Sequence, residues 1–191
     1  MMGAGQKIGA RKGKGAPARR QLDSWTPHRC VVLAVDTAET SGWSIMIEGA
    51  LVDCGEVNCL AEPERVAKIV SGAQCWADLE SMPLVLVLEA PFAGNMQGQY
   101  RGAWRMCAAK VGCRLVVQVQ ASQWRSRVLG LGFASAPRKL ARKAEASRAH
   151  YDVMRALGRE PGPDEAAAVC IGYWATYAIE VGKKLKRKGA A

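Results

Sequence analysis

At 191 residues, 20.5 kDa and a net charge of +10, the chain has room for one well-buried domain and not for two of ordinary size. Its seven cysteines form an odd set with no C-x-x-C pair, and His28 and His150 stand apart, so neither a disulfide framework nor a zinc or other transition-metal site is suggested and reduced thiols in a cytosol are expected. No run approaches the roughly twenty apolar residues of a membrane span, and no signal peptide is expected before the body, which predicts a soluble protein without a membrane partner.

Residues 1–28 read as a disordered basic arm: Lys7, Arg11, Lys12, Lys14, Arg19 and Arg20 lie among Gly, Ala and Pro without an acid in the first twenty positions. Cys30 to Asp36 is an apolar run ending in an acid, the pattern of a fully buried strand. A second strand over 42–48 alternates Trp43, Ile45 and Ile47, and Glu48-Gly49-Ala50 turns it into a third, Leu51 to Val57, as an antiparallel meander. Pro63 opens a helix with Val66, Ile69, Val70, Ala73 and Ala77 at helical period. Pro83 to Glu89 repeats the buried strand ending in an acid.

A polar loop over 90–98 leads to a helix through Ala103, Met106, Cys107 and Val111, and residues 114–119 give a fifth strand. After Pro137 a long helix is expected to bury Leu140, Ala144, Ser147, Tyr151, Met154 and Leu157, with Arg138, Arg142, Lys143 and Arg148 on its other faces. Gly162-Pro163 breaks the chain before a last helix opened by Asp164, through Val169, Ile171, Trp174 and Tyr177. Residues 183–191 form a second basic tail, leaving 29–182 as the folded domain.

Residues 1–20 and 183–191 together carry slightly more positive charge than the whole chain, so the body between them is close to neutral. Its charge is uneven: residues 101–148 hold eleven Lys or Arg against one acid, Glu145. A solvated surface explains the tails but not this internal stretch, which suits a polyanion such as nucleic acid. Arg101, Arg105, Arg138, Lys139, Arg142 and Lys143 are the candidate phosphate contacts, the helix at 138–148 first. Trp104 and Trp124 in the same stretch are either core residues or platforms for base stacking.

Three acids stand at matching points: Asp36 and Glu89 at strand ends and Asp164 at a helix start, where a sheet of this order brings polar ends together at one edge. Singly, each reads as a solvated acid; together they form an oxygen-rich cluster suited to magnesium, with manganese as a substitute. Two such ions would activate water and stabilise the leaving oxygen in phosphodiester cleavage. Glu165 is either a further ligand or an ordinary first-turn acid favoured by the helix dipole.

Over most of residues 30–181 the chain resembles the RuvC-type Holliday junction resolvases of the ribonuclease H-like superfamily. The resemblance is carried by Val31 to Asp36 followed by Gly42-Trp43, by Leu88-Glu89-Ala90-Pro91-Phe92, and by Gly162-Pro163-Asp164-Glu165 running into Ala166 to Val169. It implies an α/β fold with a mixed five-stranded sheet flanked by helices, and Asp36, Glu89 and Asp164 as catalytic metal ligands. It also implies Phe92 as a ring that wedges between base pairs at a junction, although the loop equally suits a ring packed beneath it. Two departures stand out. Thr37-Ala38 replaces the family's Pro-Gly, and Ala167 replaces a second acid, leaving a three-ligand site, one completed by Glu165, or a relative that binds without cutting.

The expected function is a magnesium-dependent endonuclease for four-way or other branched DNA, acting in the cytoplasm of a bacterium or a phage-infected host. A two-fold junction cut symmetrically calls for a homodimer. Rival readings are a nuclease of the same fold acting on RNA–DNA hybrids, a transposase-like nuclease, a non-catalytic junction binder and, remotely, an actin-like ATPase.

Overall fold

The computed structural model describes residues 29–90, 96–113 and 115–188. The expected arm at 1–28 and Phe92 lie outside the described residues. Five strands form one mixed sheet: β1 (Val31–Asp36), β2 (Thr40–Ile47), β3 (Ala50–Asn58), β4 (Leu84–Ala90) and β5 (Leu115–Gln120), in spatial order β3-β2-β1-β4-β5. β1 pairs antiparallel with β2 and parallel with β4, β2 pairs antiparallel with β3, and β4 parallel with β5. The meander turns at Glu48-Gly49, whose φ angles of 49° and 88° are those of a two-residue hairpin loop, and glycine supplies the second without a Cβ penalty.

Alternation along β1 and β4 sorts side chains into two cores. Val31, Leu33, Val35, Leu84, Leu86 and Leu88 face α1 (Pro63–Leu79) and α2 (Met96–Lys110), packing on Val66, Val70, Tyr100 and Trp104. Val32, Ala34, Val85 and Val87 face the other way, onto α3 (Ala121–Val128), α4 (Arg138–Leu157) and α5 (Pro163–Lys188), where Trp124, Val153, Val169, Ile171 and Trp174 fill the interior. Both central strands are covered on both faces, which is why they read as unbroken apolar runs.

Helix α5 lies along β2 in step with it. Gly42 abuts the backbone of Asp164, Ser44 donates its hydroxyl to the Ala168 carbonyl at 2.9 Å, and Met46 rests on Gly172. Two strand residues rise about 6.6 Å and four helical residues about 6.0 Å, so successive contacts meet.

Four readings of the sequence need correction. The buried side of α4 is Ala141, Glu145, Ala149 and Val153, whereas Leu140, Tyr151 and Met154 are exposed. The apolar count failed because an acid, Glu145, occupies the middle of the buried stripe. On α2, Met106 is exposed and Trp104 is the inward anchor. The segment after β5 is a helix, α3, with a reciprocal Gln120–Gln123 capping box that the sequence reading passed over. Helix α5 continues to Lys188, into the stretch read as a tail. Among the described residues no helix is long and apolar enough to cross a membrane.

Candidate active site

Parallel pairing of Val35 with Leu88 carries the two strands forward so that Asp36 and Glu89 emerge side by side, on the face toward α3, α4 and α5. Burial pushes the Asp36 carboxyl well above its ordinary range, and the adjacent Glu89, which shares a hydrogen bond with it, adds to the shift. The charge of Asp164 raises it further, and that of Arg142 offsets part of the rise. Two carboxylates forced together in a poorly solvated place are short of a positive charge.

Glu89 is fixed from two sides. The indole Nε1 of Trp124 donates to its Oε1 at 2.9 Å, and the Thr37 hydroxyl donates to its main-chain carbonyl at 2.9 Å, tying the end of β4 to the chain leaving β1. Trp124 and Trp104 are both fully buried, so neither offers a surface for base stacking; Trp124 serves the site as a hydrogen-bond donor.

Asp164 arrives from the opposite direction, at the start of α5. Gly42, directly opposite Asp36 on β2, makes its approach possible: a Cβ at 42 would lie 1.9 Å from the Asp164 carbonyl oxygen. Glu56 on β3 accepts from the amides of Asp164 and Glu165 at 3.0 and 3.3 Å, a carboxylate satisfying the otherwise unpaired donors of the helix start. The Asp164 side chain bonds Nη2 of Arg142 at 2.6 Å.

Glu165, a candidate ligand from sequence, is turned elsewhere. It is buried, both its oxygens accept from Arg159 at 2.7 and 2.8 Å, and the Gly162 amide adds a third bond at 2.9 Å. Burial alone would raise its carboxyl, but Arg159, Cys54 and Gly162 outweigh this and hold it below its ordinary value. In this arrangement it locks the turn into α5, with both oxygens occupied by Arg159. Ala167 is 1% exposed and packs within the apolar core.

Asp36 and Glu89 open onto a cleft of about 330 Å³ that Thr37, Arg125, Arg138 and Arg142, among others, also line. Arg138 and Arg142, two of the candidate phosphate contacts, are among its lining residues. Lys139 and Lys143 are exposed on α4 but do not line the cleft, and Arg101 and Arg105 belong to α2, which packs on the opposite face of the sheet. Arg125 was missed: it stacks over Trp124 at 5.0 Å and its Nε bonds the buried Glu145 at 2.8 Å. Its signal was the Trp-Arg pair in a helix that had not been recognised.

Asp36 and Glu89 supply hard oxygen donors that fit one divalent cation completed by water and phosphate. Among the described residues, no three side chains of the ligating types gather closely enough to hold an ion, and Asp164 is bonded to Arg142.

No family model matches the sequence, and no curated protein matches it closely enough to count as a relative. Solved structures do match. Thermus thermophilus RuvC superposes with a TM-score of 0.54 at 18% identity, over 80% of this chain and 97% of that one. The same protein in complex with a Holliday junction substrate gives 0.53 at 17% identity, with the same coverage. With its mixed five-stranded sheet, flanking helices and acid-tipped central strands, the chain has the ribonuclease H-like fold of RuvC.

Proposed function

We propose that this protein is a divalent-metal-dependent endonuclease that cuts branched DNA, four-way junctions foremost. The observation that carries the reading is the Asp36–Glu89 pair at the base of a cleft walled by Arg125, Arg138 and Arg142. Such a site offers carboxylates for a hard cation and guanidinium groups for a phosphodiester. The fold shared with RuvC, one of whose structures contains a Holliday junction substrate, directs the choice of DNA shape.

In this reading Asp36 and Glu89 hold Mg2+, for which Mn2+ substitutes, and Asp164 stands beside them. Held by these two carboxylates, such an ion would supply Lewis acidity for hydrolysis of the phosphodiester. The protein's own part is orientation. Trp124 and Thr37 fix Glu89, Gly42 and Glu56 seat Asp164, and Arg138 and Arg142 align the phosphate. Water oxygen bonds to phosphorus, one ester P–O bond breaks, and the leaving alcohol takes up a proton, so each cut consumes one water. A homodimer places two such clefts on a two-fold junction.

The pairing of Asp164 with Arg142 favours a second reading, a junction binder that does not cut. Incubation with four-way, three-way and linear DNA, with and without Mg2+, separates the two. The nuclease cuts the four-way form first and only with metal, whereas junction-selective binding without cleavage at any Mg2+ or Mn2+ concentration would establish the binder.

A further inference from the structure

We infer that the cleft takes a single divalent cation, on Asp36 and Glu89, and that the guanidinium of Arg142 stands in place of a second one, holding Asp164 with one nitrogen and offering the other to a phosphate oxygen of the DNA. This rests on the nuclease reading above and replaces the two-ion expectation drawn from sequence.

The carboxylates needed for a second ion are already engaged or missing. Asp164 bonds Arg142 at 2.6 Å, with only 17% and 23% of the two side chains exposed. Both oxygens of Glu165 are taken by Arg159. Position 167, one helical turn beyond Asp164, is an alanine enclosed in the apolar core.

Arg142 itself is half-used. Its Nη2 is satisfied by Asp164, but its Nη1 is buried and has no hydrogen-bond partner among the described residues. A buried guanidinium donor left unmet is costly unless an acceptor arrives. Arg142 lines the cleft that contains Asp36 and Glu89, and since its Nη1 is closed to solvent, with the equally unpartnered Oε2 of Glu145 among the charges near it, an acceptor entering there completes it once the guanidinium turns outward. A planar fork with two donor directions suits this double task, one arm on a carboxylate and one on a phosphate. Burial works against the charge of the guanidinium, but the bonded Asp164 carboxylate, and after it Asp36 and Glu145, outweigh burial and keep it charged.

Charge balance agrees. The carboxylates Asp36, Glu89 and Asp164 and one phosphodiester anion are neutralised by Arg138, Arg142 and one divalent ion, while Arg125 is matched by Glu145. A second ion would leave the loaded cleft with excess positive charge.

The test is a Mn2+ titration of the full chain, with free Mn2+ read by its paramagnetic resonance signal, alongside junction binding in Ca2+ at several salt concentrations. Wild type and Arg142→Lys are expected to take up one Mn2+ per chain. Arg142→Ala, which releases Asp164, takes up two, and adding Asp164→Asn to it returns the count to one. The slope of log affinity against log salt falls by about one for Arg142→Ala, as expected for one lost phosphate contact. Two ions on the wild type, one on Arg142→Ala, or an unchanged salt slope overturns the inference while leaving the nuclease reading intact. No Mn2+ on the wild type overturns both. The Asp164→Asn chain, with Arg142 present, also binds one ion in this scheme, and loss of its ion would overturn the assignment to Asp36 and Glu89.

Discussion

The acids at the strand ends and those at the start of α5 are placed by different means. Asp36 and Glu89 are set by backbone register: once β1 pairs with β4, the two carboxylates are neighbours whatever surrounds them. Asp164 and Glu165 are adjacent in sequence, yet tertiary contacts send one to Arg142 beside the cleft and the other into an ion pair with Arg159. Adjacency on a helix decides little about partnership, because successive side chains point about 100° apart and meet different neighbours. A strand end is therefore a stronger functional signal than a helix start.

This contrast can be broken first at its register-set half. Asp36→Asn or Glu89→Gln is expected to abolish cleavage, a loss of at least about a thousandfold in rate, while junction affinity is retained or rises because a negative charge has left the phosphate site. Single-turnover cleavage together with gel-shift affinity checks this, and wild-type-like cutting by Asp36→Asn would defeat the assignment.

At the contact-set half the largest effect belongs to Gly42→Ala. The added methyl meets the main-chain carbonyl of Asp164, which cannot swing aside, so we expect about 3 kcal/mol of destabilisation in urea unfolding. Cleavage should be impaired even where the variant remains folded, since the start of α5 must retreat.

Glu165→Gln sharpens the distinction between the two neighbouring acids. Loss of a charged partner for Arg159 is expected to cost about 2 kcal/mol of stability at neutral pH, discounted because Arg159 is half exposed, with Mg2+ dependence of cutting unchanged. Since the Glu165 carboxyl is held below its unfolded value, its contribution is fully present above that value and fades as pH falls through the lower, folded one. The gap between wild type and variant should therefore close in acid, as urea midpoints measured from neutral pH down to about pH 3 would show.

The smallest effect is expected at Glu56→Gln. It weakens the cap on α5 by about 1 kcal/mol, with a modest rise in the metal concentration needed for half-maximal cutting as Asp164 loosens. Glu56→Ala should be worse in both measures.

Those two halves also mark how far the sequence could be read. The order of elements, the meander turn and both acid-tipped strands were legible because central strands buried on both faces leave an unmistakable apolar run. Asp164 was legible through its Gly-Pro break. What escaped depends on atoms distant in sequence. Glu145 is an acid in a buried stripe, which rotated the expected inner face of α4 away from the true one, and its partner Arg125 sits on a helix that had not been recognised. The ion pair that Arg159 makes with Glu165 carried no signal in the sequence either, since nothing there singled out Arg159.

The stepped contact of α5 along β2 works as a vernier. Helix and strand advance by slightly different amounts, a mismatch of about 0.6 Å at each step, so the two scales coincide over only a few marks. Gly42–Asp164, Ser44–Ala168 and Met46–Gly172 are those marks. Sliding the helix by one residue would bring different side chains onto Gly42, where there is no space for any, and lift Ser44 from its carbonyl. The axial position of the Asp164 carboxylate is thus read from a scale extending two further turns away, to the seat of Met46 on Gly172. Shape at the far end of that scale, where no charged group takes part, governs where a charge arrives at the cleft.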